Sequence, residues 1–242
     1  MSTRLSHRWL QRLPRPGFFS QFKNFRHYYL HQTAETDGST LASGLTAIRK
    51  QVFDRYGGFE PAYGPSSIED IALGYRLTRD GRRILFRPDV QVMHLKGYTF
   101  WSLVVSDVRD RAIPWTALRR DRMWSDDLNI SHASRLSVAL SAAIPLSFAG
   151  LRGWSRIAVP GVCAGVIGVL NRHFVSAAGR LGALFALKTL AFLPVMYFIH
   201  GVGFVAGLAV YSTQRGVKRD PHGADTPYTR LTAPRPAQSN TE

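Results

Sequence analysis

The chain has 242 residues, enough for one ordinary domain or for a small domain plus a membrane segment. Its single cysteine, Cys163, excludes an intrachain disulfide framework and any multi-cysteine metal site. The formal net charge of +15 points to an anionic partner, and its distribution favours a lipid surface over nucleic acid: from Leu128 to Arg219 nine Lys or Arg and no acid punctuate apolar runs instead of gathering on one polar face.

In chain order, residues 1–34 form a basic segment broken by Pro14, Pro16 and Gly17. It lacks the uninterrupted apolar stretch of a signal peptide. Leu5, Trp9, Leu10 and Leu13 recur at roughly helical spacing, which suits either a short helix on an anionic membrane or a remnant of a larger domain. Residues 35–127 read as a soluble α/β piece. Its turns are Tyr56-Gly57-Gly58, Tyr63-Gly64-Pro65 and Arg79-Asp80-Gly81. The spacing of Ile48, Val52, Phe53 and Tyr56 predicts a helix over Thr46 to Tyr56. A second helix is expected from Ile68 to Asp80, with Ile71, Ala72, Tyr75 and Leu77 on its apolar face and Gly81 at its end. Arg83 to Phe86 and Val90 to Met93 read as strands around a Pro88-Asp89 turn. Phe100 to Arg120 is expected to be helical with an interruption at Pro114.

Residues 136–214 are hydrophobic. They hold uncharged runs of 16 residues (Leu136–Leu151), 15 residues (Ile157–Asn171) and 26 residues (Thr189–Gln214). A helix needs about 20 apolar residues to cross a bilayer. The third run meets that despite His200, and each of the first two suits a short span, an interfacial segment or a core helix. Two full spans plus one interfacial segment would keep Arg215, Lys218 and Arg219 on the same side as the soluble piece. The polar, proline-rich stretch from Arg215 to Glu242 is expected to be disordered.

Several stretches share one pattern. Ser43-Gly44 through Arg49-Lys50, Gly57-Gly58-Phe59, Ser67-Ile68-Glu69-Asp70, Gly74-Tyr75-Arg76-Leu77, Gly81-Arg82-Arg83-Ile84 and Pro88-Asp89 through His94 follow one another over about residues 38–120. Together they resemble the acceptor-side half of a membrane-bound family 2 glycosyltransferase of the GT-A fold, of the bacterial lipid- or polysaccharide-directed type. The resemblance implies a fold class of α/β, a partial nucleotide-diphospho-sugar transferase domain, followed by an all-α transmembrane region. It implies a multi-pass protein of the inner membrane whose soluble part faces the cytosol. The partners implied are a nucleotide sugar, a lipid or glycan acceptor and the membrane, with no nucleic acid.

Sugar transfer needs a carboxylate to take the acceptor hydroxyl's proton and positive charge to receive the leaving diphosphate. In the resembling family the Asp of a Glu-Asp pair opening a helix is that base, which points to Asp70 with Glu69 beside it. The positive end of a helix favours carboxylates there, and acids in a first helical turn also serve simply as caps. The resemblance makes His94 a ligand for a divalent metal, Mg or Mn; a polar residue closing a strand would look the same. Asp107 to Thr116 resembles in part an Arg/Trp element that lines the diphosphate and acceptor site. Arg111 and Trp115 match it, and Pro114 stands where the family has a second Arg.

The Asp-x-Asp that grips metal and diphosphate in this family belongs to a donor-binding half before Ser43, where only 42 residues stand. The expectation is a chain inactive by itself, whose donor half comes from a separate partner or an upstream segment. A non-catalytic membrane subunit, or a degenerate glycosyltransferase-like protein that binds a partner or lipid, is the alternative.

Overall fold

The computed structural model describes residues 17–34, 37–41, 43–60, 68–87, 89–92, 95–120 and 131–212. The first element, α1 (Phe18–Thr33), lies in what reads as the basic segment, yet Phe22, Phe25 and Tyr28 are buried in the largest hydrophobic cluster. Aromatic residues at 18, 22, 25 and 29 follow the three-to-four-residue helical period and form one stripe. Phe25 stacks on Phe174 at 5.3 Å, and Phe22 meets Phe192 edge-on at 5.0 Å. The stretch with Leu5, Trp9, Leu10 and Leu13 lies outside the described residues.

The soluble layer is mostly helical. β1 (Asp37–Gly38) pairs antiparallel with β2 (Ile84–Leu85), and this two-stranded pair is the sheet present among the described residues. The α/β expectation is therefore met only in that reduced form. Val90 and Val92, expected in a strand, are about half exposed and lie in irregular chain. No neighbouring strand among the described residues offers them the hydrogen bonds a ladder requires. α2 (Lys50–Arg55) is shorter than the predicted helix over Thr46 to Tyr56. Residues 39–41 cross against another helix and Ser43–Leu45 makes a 3-10 turn, so the helix starts only once the chain has left that contact. α3 (Glu69–Arg79) agrees with its apolar period, and Ile71, Ala72, Tyr75 and Leu77 are all buried. It ends at Gly81 with φ of 73°. The Arg82 N–H donates to the Leu77 carbonyl and the Gly81 N–H to the Thr78 carbonyl, a Schellman ending that needs the left-handed glycine.

α4 (Phe100–Asp107) opens with a reciprocal Thr99–Ser102 capping box. A π-turn (Val108–Ala112) joins it to α5 (Ile113–Arg120). The interruption expected at Pro114 therefore falls just before it. The wider π-turn shifts the hydrogen-bond register so that Pro114 enters in the first turn of α5, where a missing N–H is tolerated.

Four helices follow: α6 (His132–Gly150), α7 (Ser155–Leu170), α8 (Arg172–Gly179) and α9 (Ala183–Ser212). α6 and α9 are long and apolar enough to cross a membrane; α7 and α8 together would make a third span, bent by 74°. Arg156 donates to the Phe148 carbonyl at 2.7 Å and closes the end of α6. Asn171, at the bend, donates to the Ile167 carbonyl at 2.8 Å and accepts from the Tyr197 hydroxyl at 2.7 Å, which ties the bend to α9. α9 begins upstream of the predicted run and takes in Lys188. Charge at a helix end is compatible with a span because a long side chain reaches the interface.

α9 also carries the soluble layer. Gly203 faces Ala112 and Val108, and Gly207 faces Thr116 and Ile113. A Cβ at Gly203 would lie 2.6 Å from that of Ala112. The four-residue spacing of the two glycines lets the backbones approach closely, as small residues do between membrane helices. The segment from Asp107 to Thr116 thus runs alongside α9 from His200 to Gly207 in the same direction.

Candidate active site

Glu69 and Asp70 occupy the first turn of α3. Both are half-buried, and an Asp70 carboxylate oxygen accepts the Ile71 N–H at 2.8 Å. Beneath them Ile68, Ala72 and Leu73 are fully buried and fix the helix in place. Two contacts then assemble the other sequence motifs around α3. A Cβ on Gly74 would lie 2.8 Å from backbone atoms of Ser39, Thr40 and Leu41, so only glycine admits this crossing. The crossing is within two residues of the Ser43-Gly44 turn. Six residues further along the helix, Arg76 donates to the Tyr56 carbonyl at 3.1 Å and the Gly58 carbonyl at 2.8 Å. That clamps the Gly57-Gly58 turn, in which both glycines have positive φ, onto the same helix.

Trp115 reaches α3 as well. It packs against the cluster of Ile68, Ile71, Ala72, Tyr75 and Leu118, next to the turn that bears the carboxylates. Arg111 lies in the π-turn one turn earlier. α5 therefore stands between α3 on one side, through Trp115 and Leu118, and α9 on the other, through Thr116. His94 lies outside the described residues. Among the described residues no three His, Cys, Asp or Glu side chains converge as metal ligands.

The sequence reading missed a buried charge cluster. The Lys23 ammonium on α1 pairs with one Asp107 carboxylate oxygen at the end of α4, and both side chains are buried. His200 on α9 stands 3.5 Å from the other oxygen. Burial pushes the Lys23 ammonium down to about 8, against the opposing pull of Asp107. Burial alone would raise the Asp107 carboxyl; the His200 hydrogen bond and the Lys23 charge outweigh it and hold the group well below the usual carboxylate range. Ser20 adds a second tie, accepting the Tyr98 N–H at 2.8 Å and donating to the Tyr98 carbonyl at 3.0 Å. A lysine on an aromatic-striped helix, together with a lone histidine in an apolar run, was the available signal.

The family described as glycosyltransferase like family 2 matches residues 8–110. The matched stretch contains Glu69-Asp70 and the glycine motifs around α3, and it ends one residue before Arg111. It supports a glycosyltransferase-like domain there. No curated protein and no solved structure matches the chain.

Proposed function

We propose that this chain is the acceptor-side, membrane-bound part of an inverting glycosyltransferase, which moves a sugar from a nucleotide sugar to a lipid or glycan acceptor. The observation that carries this reading is the convergence on α3. Gly74 admits the chain leading to Ser43-Gly44, Arg76 clamps Gly57-Gly58, and both surround the helix that begins with Glu69-Asp70. Local helix capping would account for the two acids but not for that assembly. The soluble part faces the cytosol of a bacterial inner membrane, and the donor nucleotide is held by a GT-A half outside the described residues, supplied with this chain or by a partner.

In this reading Asp70 accepts the proton of the acceptor hydroxyl as its oxygen bonds to the anomeric carbon. The bond from that carbon to the diphosphate oxygen breaks, and the diphosphate leaves with the electron pair. Attack opposite the leaving group inverts the anomeric centre. Glu69 flanks the base. Arg111 offers positive charge to the departing diphosphate, and Trp115 fixes the base helix against α5.

The test is sugar transfer from labelled nucleotide sugars into membrane lipid and glycan fractions, with the chain expressed alongside its donor half. Asp70→Asn should reduce transfer by about 10²–10⁴-fold, the range for loss of a positioned proton acceptor. Transfer unchanged by Asp70→Asn, in protein of normal abundance, would overturn the assignment.

A further inference from the structure

The two helices long enough to span a bilayer leave a groove between them that the fold does not fill. Its volume is about 390 Å³, within the range of about 300–1,000 Å³ that holds small ligands. Val138 and Ala142 line it from α6, and Phe198, Gly201, Val205 and Ala206 from α9. It is open sideways, since Phe198 and Val205 keep 40% and 64% of their surface exposed. The Ser141 hydroxyl, which also lines the groove, donates to the Val138 carbonyl at 2.7 Å and is spent within its own helix. The walls therefore offer hydrocarbon. At about 100° per residue, Phe198, Gly201 and Val205 fall on the face of α9 roughly opposite Gly203 and Gly207. The groove thus lies on the back of α9, away from α5 and from the Glu69-Asp70 helix that Trp115 and Leu118 of α5 touch.

Size and charge choose the occupant. A helix about 10 Å across would fill the 390 Å³ in about 5 Å, a single turn, so the groove does not seat another helix. A hydrocarbon chain is narrower and lies in it lengthwise. Arg135 is exposed and stands three and seven residues before Val138 and Ala142, on the same face of α6. It immediately precedes the uncharged run that starts at Leu136, which puts it at the interface end of the helix. Neither α6 nor α9 contains an Asp or Glu, so the helix charge at that end of the groove is positive. An apolar slot with a guanidinium at its end matches a lipid whose tail fills the slot and whose phosphate meets the arginine. We propose that the groove between α6 and α9 binds one acyl chain of an anionic phospholipid, with its headgroup at Arg135. The inference rests on the membrane setting and on no step of sugar transfer: this lipid sits behind α9 and is not the acceptor.

The experiment is native mass spectrometry of the full chain in detergent micelles, titrated separately with phosphatidylglycerol and with phosphatidylcholine of the same acyl chains. Phosphatidylglycerol should bind about fivefold more tightly, the scale of one basic side chain beside an anionic headgroup, and Arg135→Gln should remove that preference. Ala206→Phe, which places a ring in the groove, should weaken both lipids by at least about tenfold, the scale of two methylenes kept out of it. Val162→Phe, at an exposed position of α7 outside the groove, should change neither. Arg135→Gln alters an exposed side chain and leaves the packing alone, so the test survives even where Ala206→Phe fails to fold. Equal binding of the two lipids would overturn the proposal, as would a preference untouched by Arg135→Gln or lipid binding untouched by Ala206→Phe in folded protein. Paired chains in the same spectra that Ala206→Phe separates would assign the face to a second copy and overturn it too. Asp70→Asn should leave lipid binding intact, so a failed base assignment and a failed lipid groove give different results.

Discussion

Lys23 and Asp107 show how one side chain can decide whether two layers stay together. Removing one partner of a buried pair strands the other charge. Lys23→Met should therefore destabilise the protein by about 3–5 kcal/mol. Replacing both, as Lys23→Met with Asp107→Leu, should recover most of that loss, because an apolar pair of similar size avoids the desolvation cost. Thermal unfolding in detergent across the two single variants and the double variant measures the coupling; additive losses would mean that the pair does not act as a unit. The helix that begins at Glu69-Asp70 was legible in the sequence because its apolar period and its ending at Gly81 are written in neighbouring residues. The role of Lys23 was not, because its partner lies 84 positions away and nothing in its own neighbourhood distinguishes it from the other basic residues nearby.

Among the elements, α3 agreed with its apolar period and α9 with its uncharged run; of the two expected strands, Arg83 to Phe86 formed the short β2, whereas Val90 and Val92 joined no strand. A helix satisfies its own backbone, so a periodic stretch can form wherever its apolar stripe finds cover. A strand depends on a neighbour, and Val90 and Val92 have none among the described residues. The glycines that set helix contacts were visible as letters but not as contacts. Gly74→Ala should cost about 1–3 kcal/mol, since its methyl would meet backbone that cannot rotate away. Gly207→Leu should cost at least as much by forcing α5 off α9. Gly165→Ala in α7, where a Cβ meets nothing within 4 Å, should be neutral or stabilising. Melting temperatures of the three variants check this order, and a Gly207→Leu protein as stable as Gly165→Ala would rule out the close α5–α9 contact.

For the whole molecule, the apolar second half was legible from composition, whereas the joining of α1 to it was not. The aromatic stripe of α1 packs on α8 and α9, so the first described helix and the last share one core. The chain should accordingly remain with membranes through alkaline carbonate washing and leave them only with detergent; release by high salt alone would contradict a hydrophobic attachment. α9 has 30 residues, which at 1.5 Å per residue gives about 45 Å, against a hydrocarbon core of about 30 Å. An upright helix of that length outruns the bilayer, and Gly203 and Gly207, in its last third, grip the π-turn and α5. Membrane thickness then becomes a dimension of the layer that α9 carries: a thin bilayer leaves a tall post beneath α5, and a thick one draws the post down or tips it over.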